Sequence, residues 1–112
     1  MSKKHKVSFA VPGSLKKELS GRVIKEGYGF RGKSKWVSEA VDNLLQLKSF
    51  ASLVNYSDEM CGFDQMETAV IEYALKLRLD DAIIEIRKDF PMMEGVTSRI
   101  MRTAILQRIL RS

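Results

Sequence analysis

A chain of 112 residues with 45% hydrophobic and 29% charged side chains can pack the interior of one compact domain, or of two very small ones sharing a core. Cys61 is the only cysteine, which excludes an intrachain disulfide, and no apolar run approaches membrane-spanning length. A net charge of +5 and a pI near 9.5 invite a polyanionic partner.

The charge is unevenly spread. Residues 1–36 hold ten Lys/Arg against Glu18 and Glu26, residues 37–73 hold Lys48 against seven acids, and residues 74–112 hold eight Lys/Arg against five acids. Two basic ends flank an acidic middle. Lys3, Lys4 and His5 read as a solvated arm, and the VSFAV run that follows is too short for a secretory core. We therefore expect a cytoplasmic protein with no membrane partner.

Residues 6–11 alternate Val7, Phe9 and Val11 with Lys6, Ser8 and Ala10, the period of a half-buried strand. Pro12 and Gly13 end it. Leu15, Leu19 and Val23 then recur at helical spacing until Gly27 and Gly29. A second helix starts at Ser34, with Trp36, Val37, Ala40, Val41, Leu44 and Leu45 on one apolar face, so Trp36 is expected in the core.

Residues 48–71 read as a connector, with polar turns at NYSDE and CGFD and a short helix near Met66–Ile71. The strand signal returns in residues 72–79, EYALKLRL, where Tyr73, Leu75, Leu77 and Leu79 alternate with Glu72, Ala74, Lys76 and Arg78. Asp80 and Asp81 then suit a helix N-terminus. Ile83, Ile84, Ile86 and Phe90 form that helix's apolar face, and Pro91 stops it. A competing reading makes TAVIEYALKLRLDDAIIEI one continuous helix. The last segment, GVTSRIMRTAILQRIL, carries Ile100, Met101, Ala104, Ile105 and Ile109, each 64 positions after Trp36, Val37, Ala40, Val41 and Leu45. On the strand reading Val7, Phe9 and Val11 match Leu75, Leu77 and Leu79 at an offset of 68, which puts four extra residues in the first glycine turn. The chain thus divides into a first copy (1–47), an acidic connector (48–73) and a second copy (74–112).

That turn, GYGFRGKS at residues 27–34, satisfies both the dinucleotide fingerprint and the phosphate-loop pattern. Both need a strand before the glycines, whereas a helix precedes Gly27, and no acid sits about twenty residues on to hold a ribose. The first-turn amides of the helix from Ser34, with Lys33 and Lys35 beside them and Arg31 just outside, still form an anion site. Thr97, Ser98 and Arg99 hold the equivalent place in the second copy. Two such helix starts suit two phosphates at a fixed separation.

KVSFAVPGSLKKEL with SKWVSEAVDNLL, and LKLRLDDAIIEI with VTSRIMRTAILQRIL, each resemble the ribbon-helix-helix family of prokaryotic and phage DNA-binding proteins. Together they look like its tandem single-chain form, similar to the TraY-type accessory factors of plasmid conjugation. The resemblance implies a mainly α fold with a short two-stranded antiparallel ribbon, an α+β intramolecular pseudo-dimer. It implies sequence-specific binding of double-stranded DNA with the ribbon in the major groove, in transcriptional regulation (repression) or in a relaxosome. Lys6, Ser8, Ala10, Ala74, Lys76 and Arg78 would then face bases. Lys3, Lys4, Gly32, Lys33, Ser34, Lys35, Thr97, Ser98 and Arg99 would face phosphates. Because the copies differ, the DNA site should be asymmetric. Further copies of the chain on DNA, and a relaxase or other DNA-processing protein, are additional partners the resemblance allows, in a nucleoid- or plasmid-associated setting.

His5 and Cys61 have no companions at ligand spacing, and no nucleophile–base–acid grouping stands out. We expect no metal, no cofactor and no enzyme. The rival reading is an antitoxin-like adaptor, in which the first copy pairs its strand with a second chain and residues 62–112 form a helical protein-binding domain.

Overall fold

The computed structural model describes residues 3–29, 31–56 and 65–111; Cys61 and most of the NYSDE and CGFD segments lie outside them. The elements run β1 (Lys4–Val11), α1 (Gly13–Lys25), α2 (Lys33–Leu45), α3 (Phe50–Tyr56), β2 (Gln65–Glu72), α4 (Tyr73–Asp89) and α5 (Val96–Arg111). The fold is mainly helical with one two-stranded antiparallel sheet, β1 against β2.

β1 forms where its alternation requires. Val7, Phe9 and Val11 are buried, while Lys4, Lys6 and Ser8 are exposed. It begins earlier than residue 6: Lys4 and His5 belong to the strand, opposite Glu72 and Ile71, and His5 stacks on the Tyr73 ring at 5.4 Å. The expected solvated arm is therefore shorter than residues 3–5, because the pairing main chain of β2 reaches that far.

The second strand is not residues 72–79. Those residues, from Tyr73 on, are helical, and the strand is the preceding segment QMETAVIE. Two causes decide this. Leu75, Leu79, Ala82 and Ile86 are buried at helical spacing, and Lys76 pairs with Asp80 one turn later at 2.6 Å. Meanwhile Glu67, Ala69 and Ile71 point inward from the strand, Thr68 is half-buried, and Met66 and Val70 point out. The short helix expected at Met66–Ile71 is thus this strand, and the connector's helix is α3, which buries Phe50, Ala51 and Val54. Asp80 and Asp81 lie inside α4 rather than at its start. The competing long helix holds only from Tyr73 onward.

These shifts relocate the four extra residues. Val11, Leu15 and Leu19 correspond to Ile71, Leu75 and Leu79, all 60 positions on. The second helices keep the 64-position spacing, with Trp36, Val37, Ala40 and Val41 buried like Ile100, Met101, Ala104 and Ile105. The four residues lengthen the helix after the second strand, 17 residues in α4 against 13 in α1. They are about one turn of helix, not part of the glycine turn.

Packing interleaves the two halves. α2 lies on α5 and on β2, while α5 lies on β1. α2 therefore covers the inward face of β2, and α5 that of β1. Trp36, Phe9, Leu44, Ile100 and Ile105 are fully buried at this junction, each worth about 1.5–3 kcal/mol relative to exposure.

The glycine turn is a helix stop. The Gly27 amide donates to the Ile24 carbonyl and the Tyr28 amide to the Val23 carbonyl, both at 3.0 Å, with Gly27 at φ +85°. That is the paired-bond ending that a left-handed glycine permits. Gly32 serves differently: its φ is ordinary, but a Cβ there would lie 2.2 Å from the Tyr28 carbonyl oxygen. Gly27→Ala is expected to cost about 1–2 kcal/mol of strain, and Gly32→Ala about 1–3 kcal/mol because main chain must move. Denaturation followed by the fluorescence of Trp36 measures both, and equal stability of Gly32→Ala and wild type would refute the close approach.

Candidate nucleic-acid interface

The strand register sets one uncovered face. Lys4 lies opposite Glu72, Lys6 opposite Val70, Ser8 opposite Thr68, and Ala10 opposite Met66. The intervening residues turn toward the helices. Met66 is 59% and Val70 43% exposed, and Lys4 and Glu72 are 3.9 Å apart at the ribbon's end.

Both edges of this ribbon are tied to helix starts. The Val70 N–H donates to Ser34 Oγ at 2.9 Å, and the Ala10 N–H donates to Ser98 Oγ at 3.2 Å. Arg102 adds a bond to the Ala10 carbonyl at 2.9 Å. An open strand edge would otherwise leave these groups to water or to another chain. The two serines read from sequence as phosphate contacts thus hold the strands, and by doing so they fix the N-termini of α2 and α5 beside the uncovered face.

At those N-termini the first helical bonds are Trp36 N–H to the Gly32 carbonyl and Arg99 N–H to the Gly95 carbonyl, both 3.0 Å. The preceding amides, Lys33–Lys35 and Val96–Ser98, precede the helical ladder and carry its positive end. Lys35 and Arg31 are exposed beside the first. Lys33 is not a free cation: its Nζ lies 2.9 Å from the buried Glu67 carboxylate, which Lys16 approaches at 3.6 Å. Arg99 donates to the Asn55 carbonyl at 3.2 Å. Thr97 is half-buried at the start of α5, and Lys3 is exposed next to β1.

Three expected base-facing residues are elsewhere. Ala74, Lys76 and Arg78 lie on α4, where Lys76 pairs with Asp80 and Arg78 with Asp42. Their places on the ribbon are taken by Met66, Thr68 and Val70. Glu67 breaks the apolar alternation of QMETAVIE, so periodicity does not mark these three. The constant 60-position spacing from Val11, Leu15 and Leu19 was the signal that could have found them.

A separate polar cluster pins the glycine turn to α5. Arg108 donates to the Trp36 carbonyl at 2.8 Å, the Tyr28 hydroxyl oxygen at 2.7 Å, and Glu39 and Glu26 at 3.2 Å each. Its guanidinium also lies over the Trp36 ring at 4.5 Å. The Tyr28 hydroxyl donates to Glu39. That bond, opposed by partial burial and helped by Arg108, holds the Glu39 carboxyl below its ordinary range. Burial works against the Arg108 charge, but Tyr28 and Glu39 outweigh it and raise its pKa.

No family model matches this chain, and neither a curated protein nor a solved structure matches it. Among the described residues no helix is long and apolar enough to cross a membrane, and no group of three His, Cys, Asp or Glu is gathered to hold a metal ion.

Two expectations follow. Ser34→Ala should accelerate hydrogen exchange at the Val70 amide, and Ser98→Ala at the Ala10 amide, each about fivefold for a lost bond worth about 1 kcal/mol. Exchange that is unchanged at those amides would show the ribbon edges to be held otherwise. The second concerns pH: a carboxyl with a depressed folded pKa stabilises at neutral pH, and that contribution disappears as pH falls through the folded value. Wild type should therefore lose its stability advantage over Glu39→Gln below the ordinary glutamate range, and thermal melts at neutral and acid pH check this.

Proposed function

We propose that this chain is a tandem, single-chain ribbon-helix-helix protein that binds double-stranded DNA with the outer face of β1–β2 in the major groove. The observation that carries the reading is the uncovered ribbon face clasped between two helix N-termini by Ser34 and Ser98. A two-stranded ribbon fits the width of the major groove, and helix N-termini beside it suit the flanking phosphates.

The symmetry of the ribbon supports the tandem part of the proposal. Shifting by 60 positions turns the pair Lys6–Val70 into Met66–Ala10, and leaves Ser8 and Thr68 as each other's counterparts. A pseudo-twofold axis through the Ser8–Thr68 pair would make each strand–helix–helix stretch the partner of the other. The adaptor reading requires residues 62–112 to be helical and β1 to pair between chains. Here residues 65–72 are extended and pair with β1 of the same chain.

On this proposal Lys6, Ser8, Ala10, Met66, Thr68 and Val70 meet bases. Lys3, Lys4, Arg31, Lys35, and the amides at the starts of α2 and α5, meet phosphates. A cytoplasmic role in transcriptional regulation or in DNA transfer accommodates this chemistry equally. With about four to six phosphates neutralised, the logarithm of affinity for duplex DNA should fall against log salt with a slope of roughly −4 to −5. Lys35→Ala should weaken binding to all sequences alike and reduce the slope by about one. Fluorescence anisotropy on labelled duplexes measures both. Absence of duplex binding, or a slope near zero, would contradict the proposal.

A further inference from the structure

The uncovered face is chemically lopsided. At one end stands Lys6, opposite Val70, with Lys4 beyond it facing Glu72; at the other the cross-strand pair is Ala10 with Met66, whose side chains offer no charge and no strong hydrogen-bonding group. Ser8 and Thr68, one hydroxyl from each strand, sit between them at the centre. The two ends are related by the 60-position shift, so Met66 stands where the other strand has Lys6.

Met66 is 59% exposed, on the face it shares with exposed Val70, Lys6 and Ser8. The packing of the chain does not call for an apolar side chain there, since the inward neighbours Glu67, Ala69 and Ile71 supply that strand's buried contacts. In a major groove the base-edge feature that rewards an apolar side chain is the C5-methyl of thymine, whereas guanine N7 and O6 reward a lysine. Val70, directly opposite Lys6, gives that lysine's aliphatic stem an apolar neighbour and leaves its ammonium to reach outward. Exposed Arg31 and Lys35 at the start of α2 complement the phosphates beside one edge of such a site.

We infer that the ribbon reads its two half-sites by opposite chemistries, with Lys6 selecting guanine in one half and Met66, with Ala10, selecting thymine methyls in the other. Met66 is then the residue that makes the DNA site asymmetric. The inference rests on the DNA-binding proposal above. It assigns Thr68 and Ser8 to the centre, where a hydroxyl accepts or donates and discriminates least.

The full-length chain can be used to select duplexes from a random pool, followed by reselection from pools partly substituted with deoxyuridine or 7-deazaguanine. Deoxyuridine removes only the thymine methyl, and 7-deazaguanine removes only the N7 acceptor. Selected duplexes should carry guanine in one half and thymine in the other. Deoxyuridine should be depleted about fourfold at the thymines of that one half, the worth of one buried methyl group, and 7-deazaguanine should be depleted in the opposite half. Met66→Lys, at an exposed position, should keep the fold by circular dichroism, bring guanine into both halves and reduce the deoxyuridine depletion to less than twofold. Duplex retention with deoxyuridine tolerated at every position, or with the same consensus in both halves of the wild-type site, would overturn the inference. Retention of no duplex would overturn the DNA-binding proposal itself.

Discussion

A two-stranded ribbon has two open edges and two faces, and a single chain can cover only part of that surface with its own helices. The register that sets Ser8 opposite Thr68 resolves this by sending Val7, Phe9, Val11, Ala69 and Ile71 to one side. All the helical packing then follows from that side. α2 packs on β2 and α5 on β1, and their first-turn serines arrive at the ribbon edges to take the Val70 and Ala10 amides. On the opposite face Lys6, Ser8, Met66 and Val70 are exposed.

Polar groups inside the structure are distributed to defend this arrangement. Glu67 takes an inward position on β2 that is apolar in β1, and Lys33 and Lys16 compensate its charge from α2 and α1. A buried carboxylate paired in this way stabilises little over an apolar residue, but removing one of its lysines would be costly. The pairing therefore ties β2 specifically to both helices of the first half. Arg108 joins α5 to the turn between α1 and α2 through Tyr28, and to α2 through Glu39 and Trp36. The consequence for function is that cations committed to such pairs are not available to a polyanion. The exposed Lys3, Lys4, Lys6, Arg31 and Lys35 are the better candidates.

Much of the architecture was legible in the residues. The alternation of Val7, Phe9 and Val11, the helical recurrence of Leu15, Leu19 and Val23, and the apolar faces of α2 and α5 all correspond to observed elements. The second strand was not legible by periodicity. EYALKLRL alternates as well as any strand, yet its leucines also satisfy a helix in which Leu75 and Leu79 face the core and Leu77 does not. QMETAVIE hides its strand because one inward residue is an acid and another is only an alanine. Tertiary pairing with β1 and with Lys33 decides that segment, and single-sequence alternation carries neither. The same ambiguity moved half of the expected base-facing set onto α4, while Lys6, Ser8 and Ala10 stayed on the ribbon.

The fold depends on Gln65–Glu72 lying antiparallel to Lys4–Val11 within one molecule. Nuclear Overhauser spectroscopy on an equimolar mixture of isotope-labelled and unlabelled chains tests this most directly. Cross-strand contacts joining Lys6 with Val70, Ser8 with Thr68, and Ala10 with Met66 should appear within single chains and be absent from the spectrum filtered for contacts between chains. Helical chemical shifts across residues 65–72, or those same contacts found only between labelled and unlabelled chains, would contradict it.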